Sequence, residues 1–91
     1  MDKRAIVTVI GVDKVGIIAH VGNVLSEIDI NILDISQTVM QQYFTMIMLV
    51  DYSKCQREFK DIKDYLAKAG DEINMKINIQ REAIFNAMHR I

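Results

Sequence analysis

At 91 residues the chain is long enough for one domain with one hydrophobic core and too short for two. Its 11 basic and 12 acidic residues leave a formal net charge of −1, which excludes a dedicated phosphate-backbone binder with a surplus of Lys and Arg. A hydrophobic fraction of 51% with 25% charged residues belongs to a packed domain, and a single cysteine, Cys55, excludes both a disulfide framework and a CxxC metal cage. The longest uninterrupted apolar run, residues 46–50, is far short of the roughly 20 residues of a membrane span. Residues 1–4 lead into a strand-like run without a signal-peptide pattern, so a cytoplasmic domain with no membrane contact is expected.

The chain has no proline and only 4 glycines, so almost every residue is expected in an element or a short connection. Residues 5–10 are apolar and β-branched apart from Thr8 and end at Gly11, which predicts a strand buried on both faces. Ile17, Ile18, Val21, Val24, Leu25 and Ile28 then fall at helical spacings. Gly22 inside that helix costs about 1 kcal/mol relative to alanine, and close packing against the sheet is its expected reason.

Residues 31–40 and 43–50 read as an antiparallel pair joined at Gln41-Gln42, without the Gly or Asn of a favoured hairpin turn. A two-residue loop sets Met40 opposite Tyr43 and Val39 opposite Phe44. One face then collects Leu33, Ile35, Val39, Phe44, Met46, Met48 and Val50, with Gln37, and is expected to lie under helices. The other collects Asp34, Ser36, Thr38, Met40, Tyr43, Thr45, Ile47 and Leu49. A second helix is expected over residues 55–69, with Phe59, Ile62, Leu66 and Ala69 on its stripe and Gly70 as its stop. Ile73, Met75, Ile77 and Ile79 alternate with polar residues and mark a half-exposed strand, suited to a sheet edge. Ile84, Phe85, Met88 and Ile91 form the stripe of a short terminal helix.

The order βαββαβ, with two right-handed crossovers split by a hairpin, is that of an α+β ferredoxin-like sandwich with a four-stranded antiparallel sheet. Its two middle strands would be the first and third, the two that are apolar on both parities. Residues 1–80 make the domain, and residues 81–91 a helix packed on its own sheet or on a partner subunit.

Many functions share this fold, so the site must decide among them. The third strand, Tyr43-Phe44-Thr45-Met46-Ile47-Met48-Leu49-Val50, lacks the Gly and basic residues of an RNA-recognition module. The first loop, Gly11-Val12-Asp13-Lys14-Val15-Gly16, lacks the paired thiols of a metal carrier and the arginine of an acyl-phosphate hydrolase. Cys55 has no evident activating neighbour, and His20 and His89 lie on different helices, so no catalytic group, metal or cofactor is expected. The same first loop joins a strand to a helix, and helix N-terminal amides favour an anion such as a ligand carboxylate. Asp13 is placed to hold an ammonium beside it, which together suits an α-amino acid. Asp13 can equally serve as a helix N-cap, and Gly16 can be there for turn geometry alone.

Gly11-Val12-Asp13-Lys14-Val15-Gly16-Ile17-Ile18-Ala19 resembles the strand-to-helix loop of ACT domains, small regulatory modules that bind amino acids. Ile30-Asn31-Ile32 resembles the ACT pattern before the second strand. Asn31-Ile32-Leu33-Asp34-Ile35-Ser36-Gln37-Thr38-Val39 and the ending Ile77-Asn78-Ile79-Gln80-Arg81-Glu82-Ala83-Ile84-Phe85 resemble stand-alone bacterial and archaeal single-ACT proteins of uncharacterised function, similar to the ACT-containing repressors of glycine cleavage. The resemblance implies pairing of domains, sheet edge to edge or face to face, with ligand held between subunits. It also implies ligand contacts at Asp13 and Asn31. Asp13 stands where the serine-regulated dehydrogenase member has Asn, and Gly11 where it has His, so serine itself does not follow. Asn31 can alternatively be a left-handed turn residue between helix and strand.

The expected function is therefore regulatory, not enzymatic. A homodimer would bind a small molecule, an amino acid by class, through Asp13, Lys14, Val15, Gly16, Ile17, Asn31 and Ile32, and act on a separate effector protein. Tyr43, Ile47, Leu49, Phe85 and Met88 would form the dimer or partner interface, because they leave apolar surface without cover. The alternative is a ligand-free protein-interaction module that uses the open sheet face.

Overall fold

A computed structural model describes residues 3–12 and 15–83. Alternating apolar residues build β1 (Arg4–Val12), whose Ala5, Val7 and Val9 are fully buried. The chain continues through α1 (Ile17–Glu27), β2 (Asn31–Met40), β3 (Tyr43–Asp51), α2 (Phe59–Asp71) and β4 (Met75–Arg81). All strand pairs are antiparallel and the sheet order is β2-β3-β1-β4, with β1 and β3 in the middle as the sequence predicts. Both helices lie on one side of the sheet. Their Val21, Leu25, Ile62 and Leu66 close on Phe44, Met46, Met48 and Val50 of β3 and Met75, Ile77 and Ile79 of β4. The helices are also joined by polar contacts: the Tyr65 hydroxyl donates to Glu27 Oε1 at 3.0 Å, and His20 Nε2 lies 3.4 Å from the Ala69 carbonyl oxygen.

Five expectations are corrected. β1 is buried on one face only, because helices cover one side of the sheet; Ile10 and Val12 on the other side are 51% and 52% exposed. The hairpin register is as predicted from Met40↔Tyr43 to Asp34↔Leu49, but a bulge between Ile32 and Asp34 leaves Leu33 without a cross-strand partner. The face of β2 expected under helices is instead exposed along its whole length, since the helical layer covers β3, β1 and β4 and stops short of the edge. α2 begins at Phe59, not at residue 55. The Ser53 N–H donates to Asp51 Oδ1 at 2.8 Å and the Cys55 N–H to the Tyr52 carbonyl at 3.0 Å, and these turn bonds compete with helix.

The fifth concerns the glycines. Gly70 lies inside α2 and does not stop it; a Cβ there would stand 2.4 Å from the Met75 carbonyl oxygen, so this glycine lets helix and strand approach. The chain reversal into β4 falls to Asn74, at φ 57°. Gly22, expected to pack closely, has nothing within 4 Å of its Cβ position and faces a cleft instead.

Candidate functional site

The candidate ligand residues divide between the two ends of the sheet. Val12, the last residue of β1, pairs with Tyr43, which pairs with Met40, so the loop before α1 rises at this end. Asn31 pairs with Asp51, which pairs with Arg4, at the opposite end. The length of β2 separates them, about 30 Å at strand rise. Within one chain, Val15, Gly16 and Ile17 therefore do not meet Asn31 and Ile32. Asp13 and Lys14 lie outside the described residues.

At the loop end, Gly16 is the N-cap of α1 with φ 88°, a left-handed conformation that favours glycine. Turn geometry thus accounts for Gly16. The same choice removes any capping side chain at that position, and the Gly16 carbonyl accepts the His20 N–H at 2.9 Å. The N-cap is residue 16, so Asp13 does not occupy that position. The Ile17 side chain is buried, which leaves only its backbone for a ligand, whereas Val15 is fully exposed.

At the other end, Asn31 is an exposed strand residue. The left-handed turn between α1 and β2 is made by Asp29, at φ 60°, so the alternative role of Asn31 as turn residue is not the one it plays. Asn31 and Ile32 line a cleft of about 640 Å³ together with Gly22, Ser26, Asp29, Ile30, Asp51, Ser53 and Lys54. Asp51 is held below the usual carboxylate range, first by the backbone N–H of Ser53, then by its hydroxyl, with smaller help from the Lys54 and Arg4 charges. A carboxylate, an ammonium, hydroxyls and an amide are thus available around one cleft. That is the set of partners a small zwitterion needs.

Sequence reasoning missed Asp51, Ser53 and Lys54. Extending the hairpin register without the bulge would set Asn31 opposite Tyr52; the extra residue at Leu33 brings Asp51 there. A bulge inside Ile32-Leu33 carries no periodicity signal, although the Asp-x-Ser turn after the third strand was readable.

Tyr43 and Ile47 lie exposed on the open sheet face with Leu49 half-buried beside them. Met40, Tyr43 and Val12 are cross-strand neighbours and make this face apolar at the loop end. Phe85, Met88 and all of the expected terminal helix beyond residue 83 lie outside the described residues. No helix among the described residues is long and apolar enough to cross a membrane.

The sequence profile of the ACT domain matches residues 3–80. A UPF0237 protein of Listeria monocytogenes is 54% identical over 88 residues, covering 97% of this chain and 99% of its own. A UPF0237 protein of the archaeon Methanococcus maripaludis is 52% identical over 89 residues, covering 98% and 99%. The solved structure of an ACT domain protein from Streptococcus pneumoniae superposes with a TM-score of 0.83 at 44% identity, over 98% of this chain and 100% of that one. Four antiparallel strands in this order under two helices, matched end to end by single-domain relatives, place the chain in the ACT-domain family, whose members are typically regulatory ligand-binding domains.

Proposed function

We propose that this protein is a cytoplasmic homodimeric sensor that binds an amino acid between its subunits and regulates a separate effector, with no catalysis of its own. The observation that carries this reading is the separation of the two half-sites by an exposed edge strand. β2 has a free edge, and Ile32, Ile35 and Val39 lie uncovered on its helix side. An edge strand of this kind pairs readily with a second copy of itself. Antiparallel pairing of two β2 strands sets the Asn31 end of one copy beside the Met40 end of the other, and so beside its first loop. Two-fold symmetry then builds two identical sites.

In each site the ligand carboxylate meets the uncapped amides at the start of α1, and its ammonium meets Asp13. Asn31 and the Asp51 end of the other copy close the site. A ligand that touches both copies stabilises one dimer arrangement over others by its differential affinity, and this is the signal the effector reads. The effector docks on the open face around Tyr43, Ile47 and Leu49.

The test is a thermal-shift screen of the purified protein against the standard amino acids. A ligand at a hundred times its Kd stabilises by about 2.7 kcal/mol, a rise on the order of 10 °C for a domain this small. Asn31→Ala should abolish the shift while leaving the unliganded Tm within about 2 °C, as expected of an exposed residue. A second reading, a ligand-free interaction module, is favoured by the exposure of Ile10, Val12, Met40 and Tyr43 on one face. A cooperatively melting protein that shifts with no amino acid would select it.

A further inference from the structure

We propose that a second cleft, on the other side of the β3–α2 connection from Asn31, binds a phosphate-bearing small molecule. Four cations from separate parts of the chain line it: Lys3 before β1, Arg57 and Lys60 around the start of α2, and Arg81 at the end of β4. Glu58 is the one carboxylate among the described lining residues, and the cleft encloses about 880 Å³. A surplus of positive charge is therefore concentrated at one place in a chain whose net charge is −1.

Two features distinguish this cleft from an ordinary solvated face. First, among the described residues none of the four cations makes an ion pair. The neighbouring carboxylate of Glu82 is taken by Arg4, at 2.8 Å. Second, among the described residues neither arginine uses its hydrogen-bond donors, and each is held by an aromatic ring instead. Arg81 lies over the Phe59 ring with its guanidinium carbon 4.4 Å from the centroid, and Arg57 over the Tyr65 ring at 4.9 Å. A guanidinium stacked on an aromatic face keeps its in-plane N–H groups directed outward and loses little freedom when it binds an oxyanion. Phe59 lines the cleft and Tyr65 does not, so Arg81 is the fork held there; with the Lys3 and Lys60 ammonium groups and the Arg57 charge nearby it suits the several oxygens and double charge of a phosphate ester better than the single charge of a carboxylate. The like charges repel one another when the cleft is empty, and a dianion relieves that repulsion.

The chain's single cysteine, Cys55, is half-buried and lines this same cleft, so it serves as a built-in reporter. The site is separate from the amino-acid site proposed above and does not depend on it.

The experiment measures two quantities on the full chain, with inorganic pyrophosphate as probe and sodium chloride at matched ionic strength as control. One is the alkylation rate of Cys55 by neutral iodoacetamide; the other is binding by calorimetry. Pyrophosphate at about ten times its Kd, with Kd at or below about 1 mM, should slow alkylation about tenfold, as expected for an occupied cleft. Added salt should weaken the binding, as it does for any exposed ionic site. Arg81→Gln combined with Lys60→Gln should weaken binding by about tenfold or more, the value of charge-assisted bonds lost. Lys54→Gln, outside this cleft, should leave it unchanged. All positions are exposed, and an unchanged Tm confirms that each variant is folded. Absence of both heat and protection overturns the proposal, as does pyrophosphate binding that survives the double substitution or is lost in Lys54→Gln.

Discussion

Asp51 joins three parts of the molecule with one carboxylate. It ends β3, it accepts the Ser53 N–H that turns the chain toward α2, and it faces Asn31 across the edge pair. Because its folded pKa lies below the ordinary 3.8, its stabilising contribution is complete above that ordinary value and is lost as pH falls through the lower, folded one. Asp51→Ala should therefore melt below the parent at neutral pH, and the gap should narrow as the solution is acidified through that window; thermal melts of both proteins across the acid range check this. Gly70 works by what it lacks. A methyl group there would meet the Met75 carbonyl oxygen, which cannot move without shifting β4. Gly70→Ala should cost about 1–3 kcal/mol, a Tm loss of roughly 5–15 °C in a calorimetric scan. The sequence made this glycine look like a helix stop because Gly after an apolar stripe is the usual C′ signal, while close approach of α2 to β4 leaves no local pattern.

At the scale of elements, the order, the type and most of the hairpin register were legible, because period-2 and helical spacings report which residues share a face. What they do not report is whether a second layer reaches that face. Leu33, Ile35 and Val39 read as core, yet the helices stop short of β2 and leave all three in the open. The start of α2 was misplaced for a different reason: spacing extends backward from Phe59, but the hydrogen bonds of the 51–55 turn hold the chain out of the helix. The Gln41-Gln42 turn, which lacks a Gly or Asn, forms where the register expects it, with Gln41 at φ 57°. A side chain in that region costs about 1 kcal/mol. Gln41→Gly should stabilise by about 0.5–1 kcal/mol and raise Tm by roughly 2–5 °C without altering ligand response.

For the whole molecule, the residues of the candidate site were legible as loop and strand-start positions, and their separation follows from the helix crossover of the βαβ unit that the sequence also predicts. Asp13 follows β1 and Asn31 opens β2; these strands run parallel with α1 between them, so the loop that leaves β1 and the start of β2 lie at opposite ends of the sheet. In the proposed dimer a single chain supplies half of each of two sites. The uncovered apolar side of β2 and its free edge are the surfaces that a second copy would cover in that proposed dimer.

The claim that each site is shared between subunits is tested most directly by mixing two defective chains. Asp13→Ala and Asn31→Ala should each bind no amino acid alone. Unfolded together and refolded, they form heterodimers in which one site takes its loop from the Asn31→Ala chain and its Asn31 from the other, and is intact. Calorimetric titration of the mixture with the amino acid that binds the parent should recover binding at one site per heterodimer, with the parent affinity. A mixture that contains heterodimers by mass yet binds nothing would contradict the shared site.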